Sequence, residues 1–133
     1  MVKVNDVEVP EGLYYSKDYE WVKIEDGKAR IGLTDFAQKQ LREIVFAELP
    51  AEGDSIKRDE PYGTVESVKA VSDLIAPISG TIEKVNGEVQ SSPDLLNKDP
   101  YNKGWLLIVS PSDNEELKKI MDQTKAVEWH KTL

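Results

Sequence analysis

The sequence predicts a mainly β fold, a flattened sandwich with a short helix after the N-terminal strands and a C-terminal helical segment. Three observations predict it. Short runs rich in Val, Ile, Tyr and Thr recur along the chain, each closed by Gly, Pro, Asn or Asp. Apolar residues at helical spacing occur only after Thr34 and again after Pro111. One run, Trp105-Leu106-Leu107-Ile108-Val109, is almost wholly apolar and so reads as a central, buried strand.

The elements follow in order. Val2, Val4, Val7 and Val9 alternate up to Pro10-Glu11-Gly12, which predicts a loose or edge strand. Leu13-Tyr14-Tyr15-Ser16 and Trp21-Val22-Lys23-Ile24 read as strands. Asp26-Gly27 is a hairpin signal, with Lys28 to Leu33 as the return strand. Thr34 is placed to cap a helix, with Asp35 in its first turn; Phe36, Gln40 and Leu41 share a face assigned to the core. Ile44 to Leu49 returns to strand and stops at Pro50. Thr81 to Val85 is a strand that ends at Asn86-Gly87, and 91–104 is a long loop with one short turn near Pro93. Ser112-Asp113-Asn114-Glu115 has capping-box spacing before Leu117, Ile120 and Met121. Thr124 to Lys131 is a last helical segment within the C-terminal helices, 112–131. Trp21 and Trp105 read as core anchors, Trp129 as a cover over the sandwich, and His130 as a surface or capping residue.

Length and composition bound the function. The 133 residues, 39% hydrophobic and 32% charged, suit a single domain, 1–133, with its own core. The net charge of −8 opposes binding to nucleic acid or to an anionic membrane surface, and favours partners with basic patches. No apolar run approaches the roughly 20 residues of a membrane span. The N-terminal residues lack the marks of a secretory signal or an organellar presequence, so a cytoplasmic protein is expected. With no Cys and one His, thiolate nucleophiles, disulfides and Cys- or multi-His metal sites are excluded. No Ser/His/Asp set, phosphate loop or paired carboxylates is evident, so neither catalytic nor metal-binding residues are expected.

The chemistry gathers in 53–90. Gly63-Thr64-Val65 leads into Glu66-Ser67-Val68, and Ala70-Val71-Ser72-Asp73-Leu74-Ile75 leads away. Two extended runs that meet without Gly or Pro predict a hairpin with Lys69 at a tight tip. An amine there is solvated, fixed in place and free to swing. Taken alone, such a lysine is more often a solubilising charge. Its surroundings decide otherwise. Gly53-Asp54-Ser55-Ile56, then Glu66-Ser67-Val68-Lys69-Ala70, then Pro77-Ile78-Ser79-Gly80-Thr81-Ile82 resembles the biotinyl/lipoyl carrier domains, whose fold is a barrel-sandwich hybrid. Biotin carriers usually flank the lysine with Met; Val68 and Ala70 stand there here, which favours lipoate.

A wider resemblance runs from about residue 13 to beyond Trp105. Tyr15-Ser16-Lys17-Asp18-Tyr19-Glu20-Trp21-Val22, Ile31-Gly32-Leu33-Thr34-Asp35-Phe36-Ala37-Gln38 and Ile44-Val45-Phe46-Ala47-Glu48-Leu49-Pro50 join the lysine motif in the order and spacing of the glycine cleavage system H proteins. The resemblance implies lipoate in amide linkage on Lys69, with Glu66, Ser67, Val68 and Ala70 as the modification motif. It implies three enzyme partners: a pyridoxal-phosphate glycine decarboxylase, a tetrahydrofolate-dependent aminomethyltransferase and dihydrolipoamide dehydrogenase. A lipoate ligase or lipoyl transferase would attach the arm. Glu20 and Asp73 match the positions that would hold the aminomethyl nitrogen of a docked arm. Two departures bear on docking. Asp18 adds negative charge near Glu20. Arg42 stands where the family commonly has Gly, so either it takes a positive φ at about 1 kcal/mol, or the helix runs one turn further, which is the expectation. Two rivals share the same motif: an H-like relay that donates lipoate to other enzymes, and an unmodified interaction domain.

Overall fold

The computed structural model describes residues 2–133. Eleven strands lie in three antiparallel sheets. β1 (Val2–Val4) and β2 (Val7–Val9) form a two-stranded ribbon. The large sheet has the order β3 (Tyr14–Tyr15), β4 (Glu20–Glu25), β5 (Lys28–Leu33), β11 (Leu107–Pro111), β10 (Gly80–Val85) and β7 (Ser55–Ile56). The small sheet is β6 (Ile44–Glu48), β8 (Pro61–Ser67) and β9 (Val71–Ile75). Among the described residues there are four α-helices: α1 (Asp35–Leu41), α2 (Gly87–Ser91), α3 (Leu95–Lys98) and α4 (Gln123–His130). The mainly β architecture and the two helical regions match the expectation. No helix among the described residues is long and apolar enough to cross a membrane.

Local chemistry explains the turns. At the β4–β5 corner Asp26 and Gly27 both take positive φ, 50° and 76°, as an Asp-Gly hairpin requires. The N-terminal segment is a hairpin rather than one strand. Asn5 and Asp6 take φ of 51° and 67° and fold Val2–Val4 back on Val7–Val9, because Asn and Asp tolerate the left-handed region. Thr34 caps α1, its Oγ1 accepting from Ala37 N at 3.2 Å.

The core joins the sheets. Val22, Ile31, Val109 and Ile82 from the large sheet pack in one cluster with Ala47, Val65 and Leu74 from the small one, and Val89 and Leu96 close it from α2 and α3. As the apolar run predicted, β11 lies centrally, between β5 and β10. A second cluster of Val4, Val9, Leu13, Tyr15, Trp21 and Ala126 seats the ribbon and α4.

Several expectations are corrected. Trp21 is fully buried and its indole donates to Pro100 O at 3.0 Å, but Trp105 is only partly buried, with the Arg30 guanidinium 5.8 Å from its ring centre. His130 is buried at 3% exposure, packed edge-on against Phe36 and Trp129, with Nδ1 2.6 Å from Ala126 O. The capping-box segment forms a 3₁₀ helix, Asn114–Lys119, with no buried residue. It carries Glu116, whose carboxylate accepts from Ser79 N and Oγ at 2.7 and 2.9 Å. Met121 lies beyond it, bridged to Tyr15. Finally, α1 ends at Leu41 and Arg42 takes φ of 70°, so the helix does not run a further turn.

Candidate functional site

β8 and β9 pair from Pro61–Ile75 up to Glu66–Val71, and Ser67 to Ala70 turns the chain between them. The tip is closed by a side chain. Ser67 N donates to Ala70 O at 2.8 Å, while Ser67 Oγ accepts from the backbone N–H of Lys69 at 3.1 Å and of Ala70 at 3.0 Å. The hydroxyl supplies an acceptor inside the bend, so the turn forms with neither Val68 nor Lys69 at positive φ. That is why no Gly is needed at this corner. A further bond, Val68 N to Glu43 O at 3.0 Å, ties the tip to the residue before β6.

Lys69 is exposed, as are Glu66, Val68 and Ala70; Ser67 is buried. The Lys69 ammonium has no carboxylate partner among the described residues, and its Nζ reaches the Gln40 carbonyl at 3.4 Å. Gln40 stands at the lip of a groove of about 180 Å³ between α1 and the small sheet. Leu33, Ala37, Val65 and Leu74 give it apolar walls, Tyr19, Phe36 and Leu41 line it further, and Asp18 and Asp73 supply carboxylates. The face of Phe36, Gln40 and Leu41, expected to be core, lines a groove instead: Gln40 is exposed, and of the three it is Leu41 that packs against the core. The residue types suit an apolar chain that ends in a positively charged group.

The structure separates the two carboxylates assigned to docking. Asp73 is exposed and lines the groove. Glu20 is wholly buried in β4; its neighbours Asp18 and Tyr19 line the groove and it does not. Glu20 Oε1 accepts from Tyr62 Oη at 2.6 Å, linking the large sheet to the small one, and Oε2 has no hydrogen-bond partner among the described residues. Burial pushes the Glu20 carboxyl well above the ordinary range, the Tyr62 bond and the Ile75 backbone offset part of this, and the Asp18 charge adds to it. Tyr62 is itself raised, first by burial and then by Glu20. The resemblance assigns Glu20 to arm docking, with an ordinary surface carboxylate as the plainer alternative; a single charged residue at the start of a strand carries no sign of burial.

Comparisons with known proteins point to one family. A sequence model of the family described as "Glycine cleavage H-protein" matches residues 13–133. The glycine cleavage system H protein of Bacillus velezensis is 55% identical over 112 residues, 84% of this chain and 88% of the relative. That of Bacillus subtilis is 54% identical over 113 residues, 85% of this chain and 89% of the relative. Among solved structures, a glycine cleavage system H protein from Mycobacterium marinum superposes with a TM-score of 0.84 at 35% identity, covering 94% of this chain and all of that one.

Proposed function

The chain belongs to the glycine cleavage H-protein family, and from that premise we propose that it is the lipoyl-bearing shuttle of the glycine cleavage system, with Lys69 as the attachment site. It acts as a carrier rather than as an enzyme. The observation that supports Lys69 is its setting: an exposed amine with no carboxylate partner among the described residues, on a turn closed by Ser67, its Nζ reaching Gln40 at the lip of an apolar groove.

When bound in amide linkage, lipoate supplies the sulfur that a chain without cysteine lacks, and with it the means to carry an aminomethyl group from the decarboxylase to the aminomethyltransferase before dihydrolipoamide dehydrogenase restores the disulfide. The protein's own residues hold and orient. The turn fixes where the arm starts, and tethering keeps its free end at high effective concentration near each partner's active site in turn. Acylation removes the Lys69 charge, which makes the apolar groove a suitable rest for the arm. Asp73 and Asp18 stand where they can hold a positively charged terminus by charge-assisted hydrogen bonds. Glu20 adds negative potential from below in whatever fraction is ionised. The acidic balance of −8 suits docking onto partners with basic patches.

The experiment is intact mass after incubation with lipoate, ATP and a lipoate ligase. The wild type gains one lipoyl group, and Lys69→Arg gains none while melting within about 0.5 kcal/mol of wild type, as expected for an exposed side chain. A lipoyl mass on Lys69→Arg, or a large loss of stability, overturns the assignment. Exchange of glycine's carboxyl carbon with bicarbonate, driven by glycine decarboxylase, separates the shuttle from a lipoate relay. The shuttle supports the exchange and a relay does not.

A further inference from the structure

The lysine turn hangs on the corner 42–44, and the corner is strained. Arg42 takes φ 70° and ψ −151°, a region that residues with a Cβ avoid and that glycine occupies freely. Something must hold an arginine there. Asn97, 55 residues along the chain, spans the corner with one side-chain amide: its Nδ2 donates to Arg42 O at 2.7 Å, and its Oδ1 accepts from Ile44 N at 2.9 Å. The carbonyl between those two contacts, Glu43 O, receives Val68 N at 3.0 Å, the bond that fastens the Lys69 turn to its neighbour.

We propose that Asn97 is a positioning residue for the modification of Lys69, acting through the Arg42–Ile44 corner. The proposal rests on the reading of Lys69 as the acylated residue. The frame behind Asn97 is firm. It belongs to α3, whose Leu96 is wholly buried, and its Nδ2 also donates to Gln38 Oε1 at 3.1 Å, while Gln38 Nε2 donates to Asp35 Oδ1 at 2.7 Å. Remove the amide and Arg42 relaxes from its strained conformation, the Glu43 carbonyl turns away, and Val68 loses its partner. Lys69 remains chemically unchanged but is offered from a mobile turn. Arg42→Gly makes the same corner comfortable without a tie, so the two positions should compensate.

The test measures ligase-catalysed lipoylation of Asn97→Ala, Arg42→Gly and the double variant by intact mass, with hydrogen exchange at the Val68 amide. Asn97→Ala should lower kcat/KM for the protein substrate on the order of tenfold or more, as displaced reacting groups do, and speed exchange at Val68 while Val22 and Val109 stay protected. Arg42→Gly alone should lipoylate as wild type, and the double variant should recover most of the rate and the protection. Should Asn97→Ala melt below the assay temperature, Asn97→Asp keeps the acceptor for Ile44 N but sets a carboxylate against Arg42 O and Gln38 Oε1, and is expected to show the same loss and the same rescue. A wild-type rate in the Asn97 variant overturns the proposal, and so does a double variant as slow as the single one. A lipoyl group found on Lys69→Arg would instead overturn the assignment of Lys69, which keeps the two failures distinct.

Discussion

Glu20 is the residue whose setting has the clearest consequence. It is 0% exposed, one oxygen takes the Tyr62 hydroxyl, and the other has no hydrogen-bond partner among the described residues. Burial raises its carboxyl above the ordinary value, so the folded protein keeps a proton that the unfolded chain releases. Stability from this group is therefore full below the ordinary glutamate range and is lost as pH rises through the raised, folded value. Glu20→Gln keeps the shape and the acceptor for Tyr62 without the charge. Its melting temperature should stay near wild type in acid and exceed it increasingly toward neutral and alkaline pH. Thermal melts across that range check this; parallel curves would mean that Glu20 carries no raised carboxyl. The same protonation balance bears on function, because a neutral Glu20 adds nothing to the potential at the groove and an ionised one does.

At the scale of elements, close approach decides what a position tolerates. Gly80 begins β10 where it pairs with both β7 and β11, and a Cβ there would lie 2.3 Å from Ser110 O and 2.5 Å from Val109 Cγ1. The first neighbour is backbone in the centre of the large sheet and cannot yield cheaply. Gly80→Ala should cost about 1–3 kcal/mol in urea unfolding, the usual cost of overpacking; an unchanged midpoint would show that the β10–β11 pair shifts freely. Elements fixed by local chemistry were legible in the sequence. Asp26-Gly27 named its own turn, Thr34 its cap, and the apolar run ending at Val109 its central place. The hairpin turn that carries Lys69 was legible in the two extended runs that meet there. What joins distant segments was not. Asn97 reads as an ordinary loop residue until α3 brings it to Arg42, Ser67 closes the lysine turn with a hydroxyl that no periodicity marks, and the burial of Glu20 and His130 depends on partners far away in sequence.

At the scale of the whole molecule, the groove depends on parts remote from it. Its helix, α1, is held from the N-terminal ribbon, where Glu8 N donates to Asp35 Oδ2 at 2.8 Å and Tyr101 Oη bridges Asp35 N and Glu8 O. It is held also from α4, with His130 edge-on to Phe36 and Trp129 stacked at 5.4 Å on Tyr19. The opposite wall is the small sheet that carries Lys69 at its tip, so the proposed attachment site and the proposed resting place share one sheet. If that rest shields a loaded arm from water, filling it should harm retention without harming attachment. Ser72 lines the groove from β9, paired with buried Val65, and its neighbouring strand backbone accepts an aromatic residue well. Ser72→Phe should leave ligase-catalysed lipoylation near wild type but shorten severalfold the time for which the loaded protein, freed of both partner enzymes, keeps its aminomethyl mass. The decay is read by intact mass at intervals. An equal lifetime in the two proteins would mean that the arm spends its loaded time in solvent and that the groove serves only to shape α1 against the sheet.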